Sequence, residues 1–250
     1  MNIRKLHKAD ILEDVDPYVC NLCVTFQGFL NSYVINHVKK YGCDRLDKLK
    51  PPPFAFKRAA EKMVNRPARI CNFIYVRDRY QLWYNTIFED LLRYLTKRIQ
   101  ELKPKRVIFF GHSSGAYAAL LFGHFLKVDL VIAACPQTII FNHDNGVFKN
   151  HYGITGKFLN ETNNFRMNLF KKFCDKRFID LKCILPFESK RIKIYYSNKI
   201  KEDIQHVHNI LGQDTIETIA YKLPHTIFKT PRKKEILESI VNDILYTVQK

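Results

Sequence analysis

The turn Gly111-His112-Ser113-Ser114-Gly115 constrains this chain more than any other stretch of it. A continuous apolar run, Arg106 to Phe110, enters the turn, and a small-residue run, Ala116 to Phe125, leaves it. The first reads as a strand buried on both faces, as in the interior of a parallel sheet. The second reads as a helix able to lie close to its neighbours. A strand that reverses into a helix over so few residues leaves no room for side chains at 111 and 115, which is the physical task of the two glycines. Ser113 then sits on a sharp turn, exposed at the carboxyl edge of the sheet.

The segments around this turn repeat the same alternation. Asn21 to Phe26 reads as a strand ending in a turn at Gln27-Gly28, and Ile70 to Val76 as a second strand. A helical pattern follows from about Tyr84 to Leu102, with Phe88, Leu91, Leu92, Leu95 and Ile99 on one face, and Pro104 ends it. After the glycine turn come a strand at Leu130 to Ala134, another at Ile192 to Tyr196, a helix from Asp203 to Leu211, a strand from Thr215 to Tyr221 and a terminal helix from Lys233 to Val248. Parallel strands need crossover connections, so this order predicts an α/β fold: a mostly parallel sheet with helices on both faces. Pro51-Pro52-Pro53 marks a loop, with a short helix expected within Phe56 to Met63. The irregular, Asn-, Lys- and Phe-rich stretch 142–190 reads as a cap-like insertion over the sheet. With 250 residues the expectation is one domain spanning 1–250, with disorder confined to the ends.

The charged N-terminus, Met1 to Asp16, lacks the apolar core of a secretory signal, and no uncharged run reaches membrane-spanning length, so a cytoplasmic protein is expected. Seven cysteines, an odd number, with several in apolar segments, point to reduced thiols. The pair Cys20 and Cys23 runs into a strand whose side chains alternate in direction, and no second pair has matching spacing, so no metal site is expected. A formal net charge of +17 favours an acidic partner such as an anionic glycan, a nucleotide-linked donor or a phospholipid surface, which keeps peripheral membrane association open. The cations are spread along the whole chain instead of forming one block, and nucleic acid is not the expected partner.

A serine hydroxyl is a poor nucleophile at neutral pH unless an imidazole takes its proton. With the serine on a strand–turn–helix elbow, the acid and then the histidine follow it along the chain. Of nine histidines only His225, in the loop after the last strand, follows that strand. The acid belongs after the strand Ile192 to Tyr196, where Glu202 and Asp203 stand. Asp203 is preferred, since a first-turn Asp can face the sheet edge and suit the helix dipole, although the same position also reads as a simple N-cap. Glu202 is the fallback, and Asp214 is disfavoured because it precedes the final strand at the opposite edge. A developing oxyanion needs two amide donors, expected from Ser114 and from Gln27 or Gly28. His206 and His208 read as surface or packing residues, and Trp83 and Tyr84 either pack near the site or simply anchor the following helix, with packing preferred.

These residues together resemble the α/β-hydrolase superfamily from about Asn21 to the C-terminus. Phe26-Gln27-Gly28, Arg77-Asp78 with Trp83-Tyr84, the run 111–123, Pro136-Gln137-Thr138, Asp180-Leu181 and Asp203 to His206 further resemble hydrolase-like proteins of bacterial surface-polysaccharide loci. That resemblance implies a serine esterase or O-acetyltransferase acting on a small-molecule or glycan ester, with Ser113, Asp203 and His225 as triad. It implies no bound cofactor, and acetyl-coenzyme A as acyl donor in the transferase version. The alternative is a non-catalytic protein that keeps the fold and holds an anionic glycan or membrane surface on its basic exterior.

Overall fold

The protein is described here from a computed structural model covering residues 5–29, 36–37, 40–41, 50–54, 57, 69–140, 169, 171–225 and 233–249. The apolar runs become a seven-stranded sheet: β1 (Ile11–Asp14), β2 (Asn21–Phe26), β3 (Asn72–Val76), β4 (Arg106–His112), β5 (Leu130–Ala134), β6 (Ile192–Ser197) and β7 (Ile216–Tyr221). Their spatial order is β1-β3-β2-β4-β5-β6-β7, with every neighbouring pair parallel except β1 with β3. β2, β3 and β5 are buried along their whole length, as strands covered on both faces must be.

Alternation along each strand divides the core into two layers. Val24, Phe26, Ile74 and Phe109 face one side, where they meet α1 (Phe88–Leu102) and α2 (Ser114–Leu126). Cys23, Phe73, Ile108 and Phe110 face the other, where Ile236, Ile240 and Ile244 of α4 (Lys233–Gln249) cover them. α1 shows why an amphipathic helix suits its layer: Phe88, Leu91 and Leu95 are buried, while Arg93 and Lys97 point outward. α2 is buried from Ser114 to Gly123, which explains its small residues. α3 (Lys201–His208) begins two residues before the expected start and ends three before the expected end.

One feature departs from the sequence reading. The charged N-terminal segment holds β1, whose four residues show too little pattern to be read as a strand alone. The strand exists because β3 offers it an edge and because buried Asp10, just before it, accepts hydrogen bonds from Arg77 Nε (3.1 Å) and Arg79 Nε (2.9 Å). The described residues of the expected insertion, 169 and 171–190, include two short 3-10 turns, Lys176–Phe178 and Leu181–Ile184, and the Phe178 ring meets that of Phe88 of α1 at a tilt, 4.7 Å between centroids. Residues 142–168 and 170 of that insertion, and the helix expected within Phe56 to Met63 apart from Lys57, lie outside the described residues. No helix among the described residues is long and apolar enough to cross a membrane.

On the α4 side, β6 carries a lysine into the interior. Lys193 Nζ and the Tyr195 hydroxyl both bond to Asp243 of α4, and Glu217 of β7 lies 3.3 Å from the same ammonium. Removing one member of such a pair strands a buried charge. Asp243→Ala is therefore expected to lower the unfolding free energy by roughly 3 kcal/mol in urea titrations, with most of that loss recovered when Lys193→Met is added to Asp243→Leu.

Candidate active site

The glycine turn closes as its sequence requires. A Cβ at Gly111 would lie 2.0 Å from the carbonyl oxygen of Gly115, and a Cβ at Gly115 would lie 2.1 Å from that of Phe26. With both absent, α2 can start directly over the ends of β2 and β4. Ser113 takes φ 56° and ψ −119°, a backbone state that costs an L-residue about 1–2 kcal/mol and persists only where the surroundings impose it. Its amide donates to the Ala134 carbonyl at 2.8 Å, fastening the turn to the end of β5.

The three residues read as nucleophile, base and acid meet in one line. The Ser113 hydroxyl lies 3.0 Å from Nε2 of His225, and Nδ1 of His225 lies 2.7 Å from Oδ1 of Asp203. A carboxylate can only accept, so the ring proton sits on Nδ1 and leaves Nε2 free to accept from the serine. Asp203 is fully buried, Ser113 is 6% exposed and His225 9%, so the whole line is shielded from bulk solvent. The N-cap of α3 is Ile200 and no side chain caps it, which answers the N-cap reading of Asp203: it stands inside the first turn with its carboxylate on the imidazole. Glu202 is partly exposed beside it, and Asp214 is exposed before β7.

One expected donor must be corrected. The Gln27 amide donates to the Val76 carbonyl at 3.1 Å, continuing the β2–β3 ladder, and has no proton left for an oxyanion. The amides of Gly28 and Ser114 donate to no described residue, and Ser114 opens α2, where amides point outward and the dipole favours negative charge. Gly28 must be glycine for its own reason: a Cβ there would lie 2.6 Å from the carbonyl oxygen of His112. His112 in turn presents Nε2 to the His225 carbonyl at 3.1 Å, a tether for the base-bearing loop that the sequence did not announce.

Behind this edge lies the loop 77–84, which the sequence marked only as packing. Asp78 is buried and accepts from the amides of Tyr80 (3.1 Å), Leu82 and Tyr84 (2.9 Å), holding Gln81, Trp83 and Tyr84 in left-handed conformations. Burial pushes the Asp78 carboxyl up to about 6, and the three amides resist that rise, so at neutral pH it remains an ionised acceptor. The loop delivers the Tyr84 hydroxyl to the Gln27 carbonyl at 2.8 Å and the Trp83 indole N–H to Gln137 Oε1 at 2.8 Å, with Phe29 against the indole ring at 4.5 Å. Trp83 and Tyr84 are thus packing residues whose packing reaches the serine's edge of the sheet. His206 is buried and accepts from the Ile139 amide, which agrees with its packing reading, and His208 is exposed.

Cys135, Asp203 and His225 bring one ligand atom each to within 4.8 Å of the others. A tetrahedral zinc with bonds near 2.0–2.1 Å would hold oxygen and nitrogen about 3.3 Å apart. The 2.7 Å contact between Asp203 and His225 is instead the length of a hydrogen bond, closed by a proton.

No protein-family model matches the chain, and no curated protein matches its sequence. Solved structures match it in shape. Est1E from Butyrivibrio proteoclasticus aligns over 96% of this chain and 93% of its own, with a TM-score of 0.58 at 10% identity. A Staphylococcus aureus protein of unknown function aligns over 95% and 93%, with a TM-score of 0.61 at 15% identity. The peroxisomal α/β-hydrolase Lpx1 of Saccharomyces cerevisiae aligns over 96% and 81%, with a TM-score of 0.56 at 13% identity. The chain has the α/β-hydrolase fold. At such identities the α/β-hydrolase fold is carried by geometry: the strand order, the glycine turn at the end of β4, and the placement of Asp203 and His225 after β6 and β7.

The turn's dependence on a missing side chain is directly testable. Gly115→Ala, which forces a carbon into the Phe26 carbonyl, is expected to lower stability by roughly 3 kcal/mol, the upper end for overpacking, in denaturant melts. Leu126→Ala, at the far end of the same helix and half-buried, is expected to cost clearly less.

Proposed function

We propose that this protein is a serine-dependent acyl hydrolase or acyltransferase that works through an acyl-enzyme. The observation that carries the reading is the continuous hydrogen-bonded line from Ser113 through His225 to the buried Asp203. A scaffold or glycan-holding module has no use for such a line, nor for a serine kept in a strained backbone state at the sheet edge.

In this reading His225 Nε2 takes the hydroxyl proton as Ser113 Oγ attacks the acyl carbonyl. The imidazolium that forms is stabilised by Asp203, and the negative oxygen is received by the amides of Ser114 and Gly28. Collapse expels the alcohol of an ester donor, or the thiol of coenzyme A when acetyl-coenzyme A is the donor, and the leaving group departs with the proton from His225. The acyl group then sits on Ser113 as an ester. A water or an acceptor hydroxyl, deprotonated by the same imidazole, releases it and restores the serine. Hydrolase and transferase differ only in which hydroxyl wins this second step. Solved neighbours named as esterases, one from Pyrobaculum calidifontis and the brefeldin A esterase, support ester chemistry in general. A sugar hydroxyl as acceptor, with acetyl-coenzyme A as donor, is the transferase version; it suits a chain of net charge +17, since both anionic donor and anionic glycan would be drawn to it.

A fluorophosphonate probe is expected to label the wild-type protein and to leave Ser113→Ala unlabelled; labelling that survives that substitution would overturn the reading. Asp203→Asn offers an amide where the ring needs an acceptor and is expected to reduce kcat on p-nitrophenyl acetate about 10⁴-fold, with KM little changed. Mass analysis after incubation with acetyl-coenzyme A and an anionic glycan separates the two versions: acetylated glycan marks a transferase, free acetate alone a hydrolase.

A further inference from the structure

The Gly28 amide shares one peptide unit with the Gln27 carbonyl. The unit is planar and trans, so its C=O and its N–H point in opposite directions, and whatever fixes one end fixes the other. The carbonyl end is held by Tyr84, whose hydroxyl donates to it at 2.8 Å. The same unit lies against the elbow: a Cβ at Gly115 would stand 2.8 Å from the Gln27 carbonyl carbon, and one at Gly28 would stand 2.6 Å from the His112 carbonyl oxygen. The Gly28 N–H, at the far end, donates to no described residue.

Tyr84 reaches this carbonyl from a strained loop. It is fully buried and meets Phe26 edge-on at 5.6 Å, with its backbone left-handed at φ 60°, as are Trp83 at 57° and Gln81 at 53°. Residues with a Cβ keep such a state only where the surroundings impose it. Here the Asp78 carboxylate does so, through the amides of Tyr80, Leu82 and Tyr84. The Tyr84 hydroxyl has one proton and two carbonyls in reach, Gln27 at 2.8 Å and Val76 at 3.1 Å, so the shorter bond goes to Gln27. Burial first, and the Asp78 charge after it, push the phenol well above its ordinary range and keep that proton in place.

We propose that Tyr84 is a positioning residue of the oxyanion site: by holding the Gln27 carbonyl it fixes the plane of the Gln27–Gly28 peptide, directs the Gly28 N–H to the opposite side and polarises it into a stronger donor. A hydrogen bond accepted by a peptide oxygen draws charge across the C–N bond and leaves the N–H more positive, as in any bonded chain of amides. Swivelling of this peptide would turn ψ of Gln27 and φ of Gly28, and glycine resists that rotation least. The tyrosine supplies the stiffness that a residue without a side chain lacks. A donor already aimed needs no reorganisation as charge develops on the substrate oxygen.

The chemical consequence rests on the serine-enzyme reading, so the first measurement needs no turnover. The carbonyl carbon of Gln27 and the amide nitrogen of Gly28 are followed by NMR in the wild type, Tyr84→Phe, Tyr80→Phe and a protein carrying at position 84 a tyrosine fluorinated beside its hydroxyl, with thermal melts confirming that each is folded. Both signals are expected to move upfield in Tyr84→Phe, which lacks the donor, and downfield with the fluorinated ring, whose more acidic hydroxyl donates more strongly. Tyr80→Phe, which removes a hydroxyl from the same loop, is expected to leave both in place. The second measurement is turnover of p-nitrophenyl acetate and affinity for phenylboronic acid, which closes a tetrahedral adduct on a nucleophilic serine. Tyr84→Phe is expected to lower kcat about tenfold with KM little changed, short of the roughly hundredfold loss of a whole donor, and to weaken the boronic acid by the same factor. Tyr80→Phe is expected to keep the wild-type values. Signals that stay put in folded Tyr84→Phe, signals that move the same way in Tyr84→Phe and the fluorinated protein, an unchanged kcat in Tyr84→Phe, or equal losses in Tyr84→Phe and Tyr80→Phe would each overturn the positioning role. A wild type that neither turns over the ester nor binds the boronic acid, while its Gly28 signal answers to Tyr84 as expected, would defeat the serine-enzyme reading and leave the coupling between the tyrosine and the amide standing.

Discussion

Everything at the carboxyl edge depends on how closely α2 can approach the strands beneath it. With no Cβ at 111 or 115, the first turn of α2 rests on the backbone of β2 and β4, and contact between main chains is stiffer than contact through side chains. That stiffness holds Ser113 in a conformation it would not keep alone. The elbow is then tied sideways, to β5 through the Ser113 amide and to the base loop through His112. The strain at one serine is thus spread over four neighbouring segments.

Much of this was legible in the chain. β2, β3, β4 and β5 announce themselves as apolar runs because they are covered on both faces, and the glycine spacing announces the turn. Asp203 and His225 could be chosen because each follows a strand whose order was already readable. What could not be read depends on partners remote in sequence. β1 is a strand only because β3 lends it an edge and two arginines hold Asp10. The Gln27 amide looked available until the ladder to Val76 was seen to extend one residue past the strand. Asp78 looked like one charge in Arg77-Asp78-Arg79, yet it is the carboxylate around which three left-handed residues are arranged. Cys135 read as a small hydrophobe, and composition cannot tell a buried thiol that fills space from one beside a carboxylate.

The positive charge is also partly structural. Arg77 and Arg79 meet on Asp10, Arg98 pairs with Glu13 and Glu101, and Lys193 is held by Asp243 and Glu217. All but Arg98–Glu101, which lie three residues apart on α1, join segments distant in the chain: the residue before β1 to the loop after β3, β1 to α1, and β6 to β7 and α4. Their individual worth at the surface is small, but Asp10 and Lys193 are buried, where the loss of a partner is felt. Electrostatics here acts as stitching between layers as well as a field around the molecule.

Phe26 and Gln27 carry one more implication. The carbonyl of Phe26 is the stop against which Gly115 seats α2, and the carbonyl of Gln27 is where Tyr84 lands from the loop beyond β3. The Ser113 elbow and the Gln27-Gly28 turn are therefore surveyed from the same two peptide units, as two walls are squared to one corner. A displacement of β2 would carry both along together and preserve their separation, so the spacing between the Ser113 hydroxyl and the amides of Gly28 and Ser114 is insulated from movements of the sheet as a whole. Side chains around this edge can then vary in sequence without disturbing that spacing, provided this one corner of backbone is left in place.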